Sequence, residues 1–253
     1  MAIRLTMNRF CNKSAVIFDL TGTLIDFGGR IPFTSTKKAA PQIDTYHIRK
    51  SITGDDINEY RHLCKFYQIK DYTKVFTKSC NNMADMLHNV DIIPGIAEFM
   101  DTLKQQNIRI GVVSNYGKEL TQIAKAKLDR EKIPYDVIVN RDNVMLPPPA
   151  PWLLMRCMEQ LNVYPDYTMY IGDTYINMLE GYYAKVDTAY MIESSVESNT
   201  LHGTTYVDLR ILDMPKELKY KQILNKNYHI AKYYCDNFEV LSKEVMDCRT
   251  FKK

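Results

Sequence analysis

A short apolar run, Ala15-Val16-Ile17-Phe18, stops abruptly at Asp19-Leu20-Thr21-Gly22-Thr23. An apolar stretch of this length, bounded by turn residues, reads as a strand buried on both faces. The carboxylate that follows is then held at the strand's C-terminal end. Comparable runs recur at residues 108–113, 137–139, 169–171 and 188–192. Helical stretches at 96–106, 118–131, 151–161 and 177–184 separate them. Strand and helix in alternation predict an α/β fold with a doubly wound parallel sheet. Ligands of such sheets bind beyond the carboxyl ends of the strands. Asp19, Ser114 and Asp173 each follow one of these strands, so three elements aim polar groups at one place.

Residues 30–92 break the rhythm. Ile57, Tyr60, Cys64 and Tyr67 share one helical face, and Phe76, Cys80, Met83 and Leu87 share another. Asp55 and Asp71 stand where N-caps of these helices belong. The pattern predicts a helical cap over 30–92, inserted into a core made of 14–29 and 93–253. A basic segment, 1–13, precedes the core.

The charge balance, 33 basic against 30 acidic residues for a net +3, is scattered and gives no stripe for nucleic acid. No apolar run reaches the ~18 residues of a membrane span. The six cysteines form no CxxC and no zinc-ligand spacing, as suits reduced thiols. Eighteen tyrosines stand out. Those paired as Tyr182-Tyr183 and Tyr233-Tyr234 suit contacts with other protein subunits if exposed. The N-terminus carries Arg4, Arg9 and Lys13 and no acid before Asp19. That composition resembles a short mitochondrial targeting segment. An ordinary basic N-terminus on a cytoplasmic protein is the alternative.

A carboxylate placed like Asp19 can attack phosphorus and form an aspartyl-phosphate. Gly22 lets the backbone close around phosphate oxygens. Asp173, in Gly172-Asp173-Thr174, supplies a second carboxylate, and with Asp19 it could hold Mg²⁺ beside a substrate phosphate or phosphonate. Ser114 could donate to a phosphate oxygen.

These residues resemble the haloacid dehalogenase superfamily, and within it the phosphonoacetaldehyde hydrolases. The likeness runs from residues 15–28, with the trailing Asp26-Phe27-Gly28, through His47-Ile48-Arg49-Lys50 and Gly54. It continues over Val163-Tyr164-Pro165, residues 171–174, Met178, Glu180, Gly181 and Ser194-Ser195. The resemblance implies a sheet core with a helical cap, Mg²⁺, frequent dimers and cleavage of a P–C bond. It makes Asp19 the nucleophile, Lys50 the imine-forming lysine and Ser114 the phosphate donor. The metal ligands it implies are Asp19, Asp173 and the Thr21 carbonyl, with Asn177 at a further acidic position.

The departures bear on chemistry. The family places Arg or Lys where this chain has Pro148, within Pro148-Pro149-Ala150-Pro151-Trp152. Proline offers neither a side-chain donor nor an N–H. Removing such an electrostatic group costs a few kcal/mol, roughly 10²–10⁴ in rate. Asn177 brings no charge to a metal, so Mg²⁺ is expected to bind weakly. The stretch leading to Arg49 is shorter than the family pattern, which predicts a shortened first cap helix. The sequence therefore favours a catalytically degenerate protein kept as a structural or accessory subunit. The alternatives are an active Mg²⁺-dependent hydrolase, with Arg141 or Lys118 reaching into the site, and a phosphate-ligand sensor without turnover.

Overall fold

The structure is a computed structural model. It describes residues 10–25, 30–52, 54–191, 231–235 and 238–247, with the side chains of Arg30, Arg49, Lys50, Tyr234, Val240, Glu244 and Asp247 outside the description. Six parallel strands form one sheet: β1 (Ala15–Asp19), β2 (Arg109–Ser114), β3 (Val137–Asn140), β4 (Thr168–Gly172), β5 (Asp187–Met191) and β6 (Tyr233–Cys235). Their order is β3-β2-β1-β4-β5-β6. The chain winds from β1 outward to one edge, then restarts at β4 on the other side of β1. The strand order therefore reverses between β1 and β4, and a crevice opens at such a reversal.

β1 alternates between two cores. Val16 and Phe18 join the apolar cluster formed with α5 (Ile96–Gln105), α6 (Lys118–Arg130) and α9 (Phe238–Asp247). Ala15 and Ile17 face the cluster built on α7 (Trp152–Leu161), with Tyr170 and Ala184. The remaining core helix, α8, spans Tyr175–Ala184. On the first face Phe10, Phe18, Phe99 and Phe238 pack edge-on and stacked, with ring centroids 5.5–6.3 Å apart.

Of the basic N-terminal segment expected over 1–13, the described residues 10–13 pack onto this core. Phe10 is buried in it. Lys13, also buried, donates to the Asp166 carbonyl at 2.9 Å and pairs with Asp187 at 2.8 Å. A lysine and a phenylalanine fixed this way belong to the folded sheet layer. Residues 1–9, with Arg4 and Arg9, lie outside the described residues.

Between β1 and α5 come four helices: α1 (Arg30–Ala39), α2 (Thr45–Ser51), α3 (Ile57–Phe66) and α4 (Tyr72–Leu87). The stretch in which a shortened first cap helix is expected forms the ten-residue α1. α3 buries Tyr60, Leu63 and Cys64 and leaves Ile57 exposed. α4 buries Val75, Ser79, Met83 and Leu87, a spacing of four throughout. Phe76 and Cys80 stay only partly buried beside it. Asp71 caps α4 through the Lys74 N–H. The cap of α3, however, is Asp56 and not Asp55: Asp56 accepts the Asn58 N–H at 2.9 Å. Two adjacent aspartates gave the sequence no way to choose between them.

Candidate active site

β1 delivers Asp19 to the crevice, where the carboxylate is nearly inaccessible to solvent. Its charged form is opposed first by burial, then by the neighbouring charges of Asp173 and Glu180, and its pKa is raised well above the ordinary carboxylate value. Only the N–H groups of Leu20 and Thr21 act against that rise among the strongest influences. The turn that supplies these donors closes through Gly22, at φ 86°. A Cβ on Gly22 would lie 2.3 Å from Asp173 Oδ2, so the β1 loop and the β4 carboxylate meet with no room for a side chain. Thr23 completes the junction by donating to Asp173 Oδ1 at 3.1 Å.

Asp19, Thr21 and Asp173 are thus brought together, as the sequence leads one to expect. Ser114 ends β2, level with Asn140 of β3, and is fully buried. Its oxygen accepts the Tyr116 N–H at 3.1 Å, and Thr121 Oγ1 lies 3.2 Å away. The Tyr116 bond uses Ser114 as an acceptor and leaves the hydroxyl proton to be donated.

Asn177 is turned to a different task from metal binding. Its Oδ1 accepts the Thr174 N–H at 3.0 Å and the Thr174 hydroxyl at 2.6 Å, closing the capping box of α8. Its Nδ2 donates to the Tyr170 hydroxyl at 2.9 Å. Tyr170 in turn donates to Glu180 Oε2 at 3.2 Å. The amide is therefore spent on a buried network, with both of its ends engaged. Lys50 lies on α2, whose Ile48 sits in the cap-helix core, but the lysine side chain is outside the described residues. So are Asp26-Phe27-Gly28 and Ser194-Ser195.

Neither substitute cation stands at the carboxylates. The Arg141 guanidinium pairs with Asp56 at 2.8 Å. Lys118 is exposed at the start of α6. Pro148 sits half-buried in the loop before α7.

Sequence reasoning passed over Glu180 as a charge in the site. It is wholly buried, its Oε1 has no hydrogen-bond partner, and desolvation lifts its pKa to about 8 against the Tyr170 hydroxyl and the Leu154 N–H. The available signal was a lone acid among Met178, Leu179, Gly181 and Ala184, on a helix otherwise free of charge.

Two buried carboxylates that repel each other make a donor set that suits a hard dication. Among the described residues no group of three or more His, Cys, Asp or Glu side chains is placed to hold one. The set is therefore a sparse one, made of Asp19 and Asp173 with the Thr21 backbone close by.

Residues 16–191 match the model of the haloacid dehalogenase-like hydrolases. The phosphonoacetaldehyde hydrolase of Latilactobacillus sakei is 28% identical over 227 residues, 81% of this chain and 82% of that protein. That of Bacillus cytotoxicus is 26% identical over 85% of this chain and 87% of its own length. Among solved structures, a phosphonoacetaldehyde hydrolase-like protein from Oleispira antarctica superposes with a TM-score of 0.77. That alignment covers 94% of this chain and 93% of the other at 18% identity, a likeness of fold. With β1 presenting Asp19, β4 presenting Asp173 and the family model spanning the sheet from Val16 to Met191, the chain belongs to the haloacid dehalogenase-like hydrolase family.

Proposed function

We propose that this chain is a phosphonoacetaldehyde hydrolase-like protein that has lost turnover and serves through its fold and surface, as a subunit of a larger assembly. One observation carries the reading. The strongest side-chain influence on Asp19 is a second buried carboxylate, Asp173, set against the β1 loop at Gly22, while the sequence has Pro148 at the position where the resemblance puts a cation. A nucleophilic carboxylate must approach a phosphoryl group that is itself anionic. Like charges on both sides raise that barrier, and electrostatic stabilisation is usually the largest catalytic term. Arg141, paired with Asp56, supplies no relief in this geometry.

Asp19 and Asp173 would hold Mg²⁺, which when bound supplies charge neutralisation at phosphoryl oxygens. The Leu20 and Thr21 N–H groups orient the Asp19 carboxylate, and Thr23 orients Asp173. Ser114 holds a proton for an anion's oxygen. These groups can bind and orient. Among the described side chains, Arg141 and Lys118 add no positive charge at Asp19 and Asp173.

Exposed aromatic and apolar side chains support the subunit role. Tyr182 and Tyr183 are about half exposed and touch edge to face. Met145, Leu146, Trp152 and Met155 are exposed around the proline-rich loop. Such residues are enriched where proteins meet. The mitochondrial address rests on the composition of the N-terminal residues alone.

Purified protein incubated with phosphonoacetaldehyde and Mg²⁺ is expected to release no phosphate above background. Turnover at about 1 s⁻¹ or faster, within the ordinary enzyme range, would overturn the reading and establish an active hydrolase. Native electrophoresis of gently solubilised cells tests the assembly. Migration only as a free monomer or dimer in the cytosolic fraction would refute it.

A further inference from the structure

Among the described residues, Asp55 and Asp56 make charged contacts between the cap helices and the sheet layer. Asp55 sets both carboxylate oxygens on the Gly117 N–H, at 2.9 and 3.0 Å. Gly117 precedes α6, so this N–H belongs to the donors that a helix leaves without internal partners. Asp56 Oδ2 meets Arg141 Nη2 at 2.8 Å while its Oδ1 caps α3. Two successive residues thus reach two separate segments, the start of α6 and the turn after β3. Between them Gly54 lies against Tyr116, where an added Cβ would be 3.5 Å from the ring. The loop therefore rests on residues that directly follow Ser114. An apolar seam backs the contact, with Ile31, Met83 and Leu87 from the cap helices meeting Tyr116 and Leu120.

We propose that Asp55 and Asp56 form a two-point latch that keeps the cap helices seated on the sheet layer in one register. The chemistry fits a latch better than a passive seam. Apolar packing is non-directional, so Ile31, Met83 and Leu87 could slide against α6. Charge-assisted bonds to one N–H and one guanidinium fix a single register. Arg141 and Asp56 are both largely withdrawn from solvent, where salt screens them little. Lifting the cap helices off the sheet layer then requires both contacts to break. Arg141 stays committed to the cap side for as long as the latch holds.

Amide exchange measured residue by residue on the full chain tests this. Asp56→Asn removes the charge that binds Arg141 and keeps a good cap for α3, since asparagine caps helices as well as aspartate does. Arg141→Gln breaks the same pair from the other side. Neither removes a partner of the Asp55–Gly117 hydrogen bonds, so the Gly117 amide reports on the second point of the latch. Both variants are expected to exchange Gly117 roughly tenfold faster than the wild type, with the β2 amides of Ile110–Val113 unchanged, as local opening demands. Gly117 exchange within about twofold of wild type in both variants would overturn the latch. So would acceleration of the β2 amides in step with Gly117, because the pair would then support the whole fold and not cap closure. The readout is independent of catalysis, so loss of the latch and loss of the degenerate-enzyme reading are separate results.

Discussion

Glu180→Gln should make this protein more stable, and by an amount that grows with pH. Glu180 is wholly buried, with a folded-state pKa of about 8 against an ordinary 4.5, chiefly because burial penalises the charged form. At neutral pH the side chain is therefore a neutral acid in the folded chain and a carboxylate in the unfolded one. The sign follows from proton counting. Between the two pKa values the folded state binds one proton more than the unfolded state, so stability falls as pH rises, by about 1.4 kcal/mol per unit. The contribution is fully present below pH 4.5 and is lost as pH passes through 8. Glutamine has the shape of the neutral acid and cannot ionise, so the variant escapes this loss. Its advantage over the wild type should widen by about 3 kcal/mol between pH 5 and pH 8 and level off above that range. Urea unfolding of both proteins at unit steps of pH measures the difference directly, and every other titrating group cancels if its environment is unchanged. Parallel stability curves across pH 5–9 would refute the reasoning, since they would mean that Glu180 ionises normally inside the fold. The wild type's Tyr170 hydroxyl gives an internal check, because it donates to Glu180 Oε2 and can donate equally to the glutamine Oε1.

Asp19→Asn should raise the melting temperature by a few degrees near pH 7, where ~1 kcal/mol is worth about 2–4 °C in a chain this size. Burial and the neighbouring Asp173 charge raise the Asp19 pKa, so its ionised form costs stability above the ordinary carboxylate range; a lowered melting temperature would show the carboxylate to be paired with a cation. In the same assay millimolar Mg²⁺ should stabilise the wild type and leave Asp19→Asn and Asp173→Ala unmoved, and an equal response in all three would place the ion elsewhere. Phe10→Ala should cost about 3–5 kcal/mol in urea unfolding, as truncation of a buried aromatic does; a cost under ~1 kcal/mol would mean that Phe10 is not held in the cluster with Phe18, Phe99 and Phe238.

Much of the fold was legible because parallel strands are buried on both faces. The apolar runs at β1, β2 and β4 and the polar residues that end them stand out in the sequence, and each strand carried its terminal residue to the crevice. Asp19 and Asp173 could be paired from sequence because β1 and β4 are neighbours where the winding reverses. Other features depend on which of several equivalent groups a side chain meets. Asp55 and Asp56 are interchangeable as caps on paper, and only the packed positions of Gly117 and Arg141 assign them. Asn177 kept the spacing of a metal ligand, yet one turn of helix puts its oxygen within reach of Thr174, and the local capping box wins. β6 is short and follows a long stretch outside the described residues, so no local periodicity marked it; Tyr233, expected to be available for partners, packs partly into the core there. Burial of Lys13 was hidden because its partners, Asp166 and Asp187, are remote in sequence.

The balance of charge at the site separates binding from turnover. A carboxylate pair at the ends of β1 and β4 is unfavourable in the empty protein, because burial and mutual repulsion act on Asp19 together. A bound dication would offset that cost by neutralising the carboxylate pair. Rate comes from charge that meets the negative charge developing between nucleophile and phosphoryl group. Pro148 cannot provide it, and the guanidinium of Arg141 is engaged by Asp56. Among the described residues, the groups at the site hold and orient: the Leu20 and Thr21 N–H donors, the Thr23 bond to Asp173 and the Ser114 hydroxyl. An arrangement of this kind gains stability when an ion or anion occupies it, in proportion to the logarithm of ligand concentration over the dissociation constant. Under the proposed loss of turnover, ligand-dependent stabilisation without product release is the expected behaviour.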